Sequence, residues 1–318
     1  MAIDKSFLNN IKRIQKDIDK VLSTYSFPDS PKYLYDPLKY VLNGKGKRLR
    51  PILLMLTGIS FGVEKNELQS AALAVELLHN FTLVHDDIMD NDIMRHGQPT
   101  VQQKWDTPTS ILAGDAIFVE SQRVIGKINT NSQIIFNRFN DAALDICVGQ
   151  AYDKEYEEND EITLDEYLHM IEKKTGALLS LCVEIPALLS NQDDKVCKNL
   201  REFAYNIGKA FQIQDDLLEI YSDTKSMGKS LGSDLTKGKQ TILSILARQK
   251  DAKEWEKLNS NIKEIDNSIK EQKEYLESNG IIAEVKSMIQ SYINQANKIL
   301  INIPEPCKSQ LTLSLIHI

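Results

Sequence analysis

A chain of 318 residues is long enough for one large or two ordinary domains with a substantial core. Its 42% hydrophobic and 26% charged residues are the balance of a soluble globular protein, and a formal charge of −7 argues against a general nucleic-acid binder, which carries a basic footprint. Cys147, Cys182, Cys197 and Cys307 show no CxxC spacing, which argues for reduced thiols in a cytoplasmic protein and against a disulfide frame or a zinc site.

In chain order, the predicted elements are helical almost throughout. The opening "MAIDKSFLNNIKRIQK" lacks the long apolar stretch of a signal peptide and leads into a helix at 5–24. Helices are expected next at 33–43, 50–61, 66–90, 108–125 and 132–157. Those at 163–190, 194–223, 239–249, 252–277 and 281–301 complete the set. Breaks fall at turn signals such as "SFPDSP", "NGKGKR", "RHGQP" and "SMGKSLGSD". The most apolar window, "GALLSLCVEIPALLS" (176–190), carries Glu184 and Pro186 and is too short to span a bilayer, so a buried helix is expected there. No linker divides the chain. The expectation is one all-α domain over 1–318, with Lys- and Glu-rich peripheral helices from about 250 onward. The final "LTLSLIHI" is apolar for a tail, and packing on the domain, contact with a partner and disorder all remain open.

Residues 66–90 end in an unusual way. Leu68, Ala72, Val75, His79, Thr82 and Asp86 advance by four and three residues and share one helix face, and Asp90 follows Asp86 on it. Like charges at that spacing disfavour the helix by roughly 0.2–0.5 kcal/mol per pair, and the C-terminal end of the macrodipole disfavours them further. A divalent cation reverses both penalties. Carboxylates without Cys suit Mg²⁺, which takes one or two of them together with phosphate oxygens. An EF-hand loop does not fit the spacing of "DDIMDNDIMRHG". An acidic helix end without a role is the plain alternative.

A second segment, "GKAFQIQDDLLEIYSD" (208–223), repeats the pattern, with Gln212, Asp215 and Glu219 on one face and Asp216 beside them. Two such clusters facing each other across a bundle would form an anionic cup for Mg²⁺. Cations for a phosphate are at hand. "NGKGKRLRP" (43–51) places Lys45, Lys47, Arg48 and Arg50 where a loop enters a helix, with Pro51 in its first turn. "MRHGQPT" supplies Arg95 and His96, and "SMGKSLGSDLTKGKQT" (226–241) supplies Lys229, Lys237 and Lys239 on a Gly/Ser loop readable as a phosphate-covering lid or as plain surface. Lys173 and Lys174 precede Thr175 and Gly176 inside an apolar helix, where a glycine suggests a kink or a close approach.

"GKGKRLRP", "LLHNFTLVHDDIMD", "RHGQPT", "KKTGALL", "FQIQDDLLE" and "GKSLGSDLTKGKQT", in this order, resemble the consecutive blocks of the trans-isoprenyl diphosphate synthases, or polyprenyl synthetases. The resemblance implies the isoprenoid synthase fold, a single helical bundle around a central cavity, in a homodimer without a membrane span. It implies head-to-tail joining of isopentenyl diphosphate to an allylic diphosphate such as dimethylallyl, geranyl or farnesyl diphosphate. Asp86, Asp90 and Asp215 would hold three Mg²⁺ ions, with Asp87, Asp216 and Glu219 assisting. Arg95, Lys174, Lys229 and Lys239 would grip the allylic diphosphate, and Thr175 and Gln212 would line the reacting centre. Lys47, Arg50, His79 and His96 would hold isopentenyl diphosphate.

Two positions depart from the family pattern. His96 stands where a second Arg is common, and Glu219 where Asp is usual. Phe81 and Thr82, five and four residues before the first motif, occupy the places that, by the resemblance, would set product length. An aromatic beside a small polar residue resembles the synthases of short products, geranylgeranyl diphosphate ahead of farnesyl. A terpene cyclase shares the fold, and a non-catalytic subunit of a heteromeric synthase would share the ancestry. "FQIQDDLLE" with "GKGKRLRP" disfavours the first, and two intact acidic motifs disfavour the second.

Overall fold

The computed structural model describes residues 5–157, 159–221, 239–260 and 265–315. It is helical apart from one small hairpin. The first helices are α1 (Lys5–Thr24), α2 (Lys32–Leu42), α3 (Leu49–Ser60) and α4 (Lys65–Met89). The hairpin strands β1 (Met94–Arg95) and β2 (Gln98–Pro99) precede α5 (Val101–Lys104), α6 (Thr107–Ile125) and α7 (Ser132–Tyr156). Then come α8 (Leu164–Ile171), a π-helical turn (Glu172–Gly176), α9 (Ala177–Leu189) and α10 (Asp194–Tyr221). The described chain closes with α11 (Ile242–Ser260), α12 (Ile265–Ser278), α13 (Ile281–Leu300) and α14 (Cys307–Leu315).

Local signals account for the helix ends. Asp106 caps α6 by accepting the Thr109 amide at 2.7 Å, and Pro108 occupies its first turn. Thr163 and Glu166 form a reciprocal capping box at α8. Asp251 breaks the helical dihedrals inside α11 and recaps it by accepting the Glu254 amide at 3.1 Å, at the break expected between 249 and 252.

The described residues fall into two compact units: Met1–Ala143, Leu178–Glu202 and Ile299–Ile318 in one, Leu144–Ala177 and Phe203–Lys298 in the other. The first is organised by α4, which packs on α3 and α6 and is touched by α1, α2 and α5. An apolar stripe on one face is the expectation for α4, yet Leu68, Ala71, Ala72, Leu73, Ala74, Val75, Leu77 and Leu78 are all buried. It is a central helix, enclosed all round. Glu184, the charged residue in the most apolar window, is buried between Arg138, 3.1 Å away, and Arg201. Removing Arg201 would leave the buried Glu184 paired, among the described residues, only with the half-exposed Arg138. Of the apolar tail, residues 311–315 are described, and they belong to this unit. Cys307 and Leu311 are fully buried on α14, which packs against α3.

The second unit has its own core, in which Tyr167, Ile213, Leu243, Trp255, Leu276 and Val285 are sealed from solvent. All four cysteines are free thiols, and burial pushes Cys182 and Cys307 up to about 12. Among the described residues no helix is long and apolar enough to cross a membrane.

Candidate active site

In the first unit, α4 delivers Asp86 and Asp87 from its last turn, and Asp90 and Asp92 follow as the chain leaves the helix. Asp87, Asp90 and Asp92 are buried and Asp86 half-buried. The hairpin returns Arg95 to the same place. Arg95 Nε donates to Asp87 Oδ1 at 2.7 Å, Nη2 donates to Asp92 Oδ2 at 3.1 Å, and Nη2 lies 3.6 Å from Asp86 Oδ2. Gln102 Nε2 fixes the turn by donating to the carbonyls of Asp87 and Asp92, at 2.8 and 3.0 Å. One guanidinium thus serves three carboxylates. Burial pushes Asp87 up to about 6; Arg95 opposes this, while Asp92 and Asp86 add to it. Burial alone would lower Arg95, but the carboxylates outweigh it and raise its pKa.

The hairpin turn explains why His96 is tolerated. His96 and Gly97 have φ of 51° and 78°, the two left-handed residues of a type I′ turn, a conformation His adopts more readily than most side chains. His96 is exposed at the turn.

The basic loop approaches the same helix. Arg50 Nη1 lies 3.1 Å from His79 Nε2. Burial, then Arg50, His96, Arg95 and Arg48, hold His79 well below its ordinary value, so the ring is neutral. A neutral ring accepting from Arg50 at Nε2 carries its proton on Nδ1. His79 Nδ1 is buried and has no partner among the described residues. Lys47 is exposed at the loop, and Lys45 lies two residues before it.

Arg48, counted from sequence among the cations for a phosphate, is instead engaged inside the fold. It holds a left-handed backbone (φ 55°) at the start of α3 and is buried. Its guanidinium donates to Glu76 at 2.7 Å, Asp19 at 3.0 Å and the Gly44 carbonyl at 2.6 Å. Glu76 sits in an otherwise apolar run of α4, three residues before His79, and burial raises its pKa although Arg48 opposes. A lone carboxylate in such a run was the available signal. The pair ties the basic loop to the helix that bears the acidic cluster.

Phe81 projects toward α6, with its ring 5.0 Å from that of Phe118 and 4.9 Å from that of His85. Gly114 makes this possible, because a Cβ there would lie 2.2 Å from His85 Nε2. Thr82 Oγ1 bonds back to the His79 carbonyl at 2.7 Å.

In the second unit, the π turn at Glu172–Gly176 carries the basic pair. Lys173 Nζ donates to Asp145 at 2.6 Å and Lys174 Nζ to Asp153 at 2.7 Å. A Cβ on Gly149 would lie 2.3 Å from the Lys174 amide nitrogen, so only glycine lets α7 approach the π turn this closely. Thr175 Oγ1 donates to Gln212 Oε1 at 2.9 Å. Gln212 Nε2 donates to Asp216 Oδ1 at 3.1 Å, and Asp216 Oδ2 accepts from the Tyr167 hydroxyl at 2.7 Å and the Ile242 amide at 3.2 Å. Asp215 and Glu219 are half-buried on α10, as is Lys239 before α11, while Lys229 and Lys237 lie outside the described residues. Asp153 and Tyr167 belong to neither acidic motif, and the sequence gives no sign of their contacts.

Among the described residues no three His, Cys, Asp or Glu side chains converge as a ready-made metal cage. The all-oxygen donor set of Asp86, Asp87, Asp90 and Asp92 suits a hard ion that borrows further ligands from a phosphate.

The polyprenyl synthetase family model matches residues 31–278. The short chain isoprenyl diphosphate synthase of Methanocaldococcus jannaschii is 42% identical over 238 residues, which cover 74% of this chain and 72% of the relative. The geranylgeranyl pyrophosphate synthase of Geoglobus acetivorans is 34% identical over 308 residues, 95% and 94% of the two chains. The crystal structure of geranylgeranyl pyrophosphate synthetase from Pyrococcus horikoshii Ot3 matches with a TM-score of 0.89 at 30% identity, over 98% of this chain and 97% of that one.

Proposed function

The chain belongs to the polyprenyl synthetase family, and we propose that it is a prenyltransferase joining isopentenyl diphosphate head to tail (1'-4) to an allylic diphosphate. The products are pyrophosphate and a short-chain trans-prenyl diphosphate, geranylgeranyl ahead of farnesyl, as the names of the similar synthases favour. The observation that carries the reading is the shared guanidinium of Arg95 amid Asp86, Asp87 and Asp92, beside a neutral His79 with its Nδ1 proton on offer.

Mg²⁺ is the proposed cofactor, three ions in number, with Asp86, Asp90 and Asp215 as ligands and Asp87, Asp216 and Glu219 assisting. When bound, magnesium supplies neutralisation of the charge that develops on the departing pyrophosphate. Arg95, Lys174, Lys229 and Lys239 hold the allylic diphosphate. Asp153 keeps the Lys174 ammonium oriented. Thr175 and Gln212, bonded to each other, line the reacting centre. Lys47, Arg50, His79 and His96 hold isopentenyl diphosphate, His79 by donating from Nδ1. Phe81, braced by Phe118, limits the product.

We also infer a homodimer, supported by Ile111, Leu112 and Val119, which are exposed together on α6. Cytoplasmic residence is supported by the four free thiols. The test is incubation with isopentenyl diphosphate and geranyl or farnesyl diphosphate, with and without Mg²⁺, followed by pyrophosphate release and product mass. A twenty-carbon diphosphate formed only with Mg²⁺ is expected. Pyrophosphate release without isopentenyl diphosphate, or no release from any allylic primer, overturns the reading.

A further inference from the structure

Tyr167 lies at the start of α8, one residue after the Glu166 that closes the capping box. Its side chain is only 1% exposed, yet its hydroxyl does not end in the apolar core. It donates to Asp216 Oδ2 at 2.7 Å, the hydroxyl-to-carboxylate contact that is among the stronger hydrogen bonds. The same oxygen accepts the Ile242 amide, at the first residue of α11 and three residues past Lys239. The other oxygen accepts from Gln212 Nε2, whose amide is completed by the Thr175 hydroxyl on Oε1. A glutamine amide with a donor on its oxygen and an acceptor on its nitrogen has one orientation, not two.

Three elements therefore meet on one carboxylate that is 8% exposed: α8 through Tyr167, α10 through Gln212, and α11 through its first amide, with the π turn joined one bond away through Thr175 on Gln212. We propose that Tyr167 is a positioning residue for the allylic-diphosphate side of the reaction. By anchoring Asp216 it fixes the Gln212 amide and the start of α11, and so the chain at Lys239, before any ligand arrives. The inference rests on the function proposed above. It gives Asp216 an orienting role alongside the metal-assisting one expected from sequence.

A tyrosine that merely filled the core would, when altered, lower thermal stability and active fraction without choosing between the substrates. A positioning tyrosine would choose. The test is Tyr167→Phe, which keeps the ring and removes only the hydroxyl. KM for farnesyl diphosphate should rise about tenfold, the effect of one lost hydrogen bond to a charged group. KM for isopentenyl diphosphate should stay within about twofold under the same criterion. Amide hydrogen exchange at Ile242 should quicken in the metal-free variant, a readout independent of turnover. Equal changes in both KM values, or an unchanged allylic KM with unchanged exchange, overturn the inference. If the unaltered protein makes no prenyl product, the functional reading fails instead. Calorimetric binding of farnesyl diphosphate and exchange at Ile242 then decide the positioning role, with equality between variant and parent refuting it.

Discussion

Asp87 and His79 lie eight residues apart on one helix and respond to pH in opposite senses. Asp87 is raised to about 6 by burial, although Arg95 is bonded to it, against about 3.9 in an unfolded chain. Between those values the folded chain keeps a proton that the unfolded chain has released, so this contribution is lost as pH rises from about 4 to about 6. Its ceiling is about 3 kcal/mol. His79, lowered by burial and then by Arg50, contributes the reverse, and stability is lost as pH falls below about 6.5. Urea unfolding in EDTA from about pH 4 to about pH 7 separates them. Asn stands in for the protonated acid, so Asp87→Asn should match the parent near about pH 4 and exceed it by up to about 3 kcal/mol above about pH 6, leaving only the histidine slope in the variant. A constant gap would show that Asp87 ionises normally. Phe81→Ala should lengthen the product by at least one isoprene unit, read by mass; an unchanged product would remove Phe81 from the length-setting role. At this scale the sequence was informative about residue types and their spacing. It did not show that Arg95 is shared by three carboxylates, or that Arg48 and Glu76 pair across α3 and α4, because those contacts depend on which elements meet.

Helix α4 was legible to within a residue at each end, since its 25 residues contain neither Gly nor Pro. The π turn was not. Lys173 to Gly176 hinted at a kink, but the partner that makes the turn meaningful is Gly149, on another helix and far along the chain. A π turn inserts one residue into an α-helix, and at Glu172–Gly176 it lets both Lys173 and Lys174 reach carboxylates of α7, at Asp145 and Asp153. Gly149→Ala should force backbone apart, because the added carbon meets the Lys174 main chain and not a side chain that can swing aside. A loss of about 1–3 kcal/mol in urea unfolding is expected, with a weaker grip on the allylic diphosphate. A variant as stable as the parent would mean that α7 and the π turn are not in contact in solution. The hairpin and α5 also escaped the sequence reading, since two-residue strands and a four-residue helix carry too few positions for periodicity to act on.

For the whole molecule, helical composition sufficed to predict the fold class, and the six ordered blocks sufficed for the family. Association is the property least visible in the sequence, because an exposed apolar face and a buried one share the same pattern. On α6, Val119 is 54% exposed and Ile111 and Leu112 nearly as much, so a charge there should disrupt a pairing of copies without touching the core. Val119→Glu is expected to sediment as a monomer where the parent sediments as a dimer; a parent that is monomeric refutes the proposed homodimer. The tail was left open by its sequence; its described beginning at Leu311 is sealed against α3 together with Cys307. That helix begins at Leu49 and Arg50, beside His79. Proteolytic trimming into Leu311 would therefore bare the back of the helix whose leading edge is proposed to hold a substrate anion. Worn preparations would look catalytically poor long before they looked broken, and an intact-mass measurement would tell ageing from mutation.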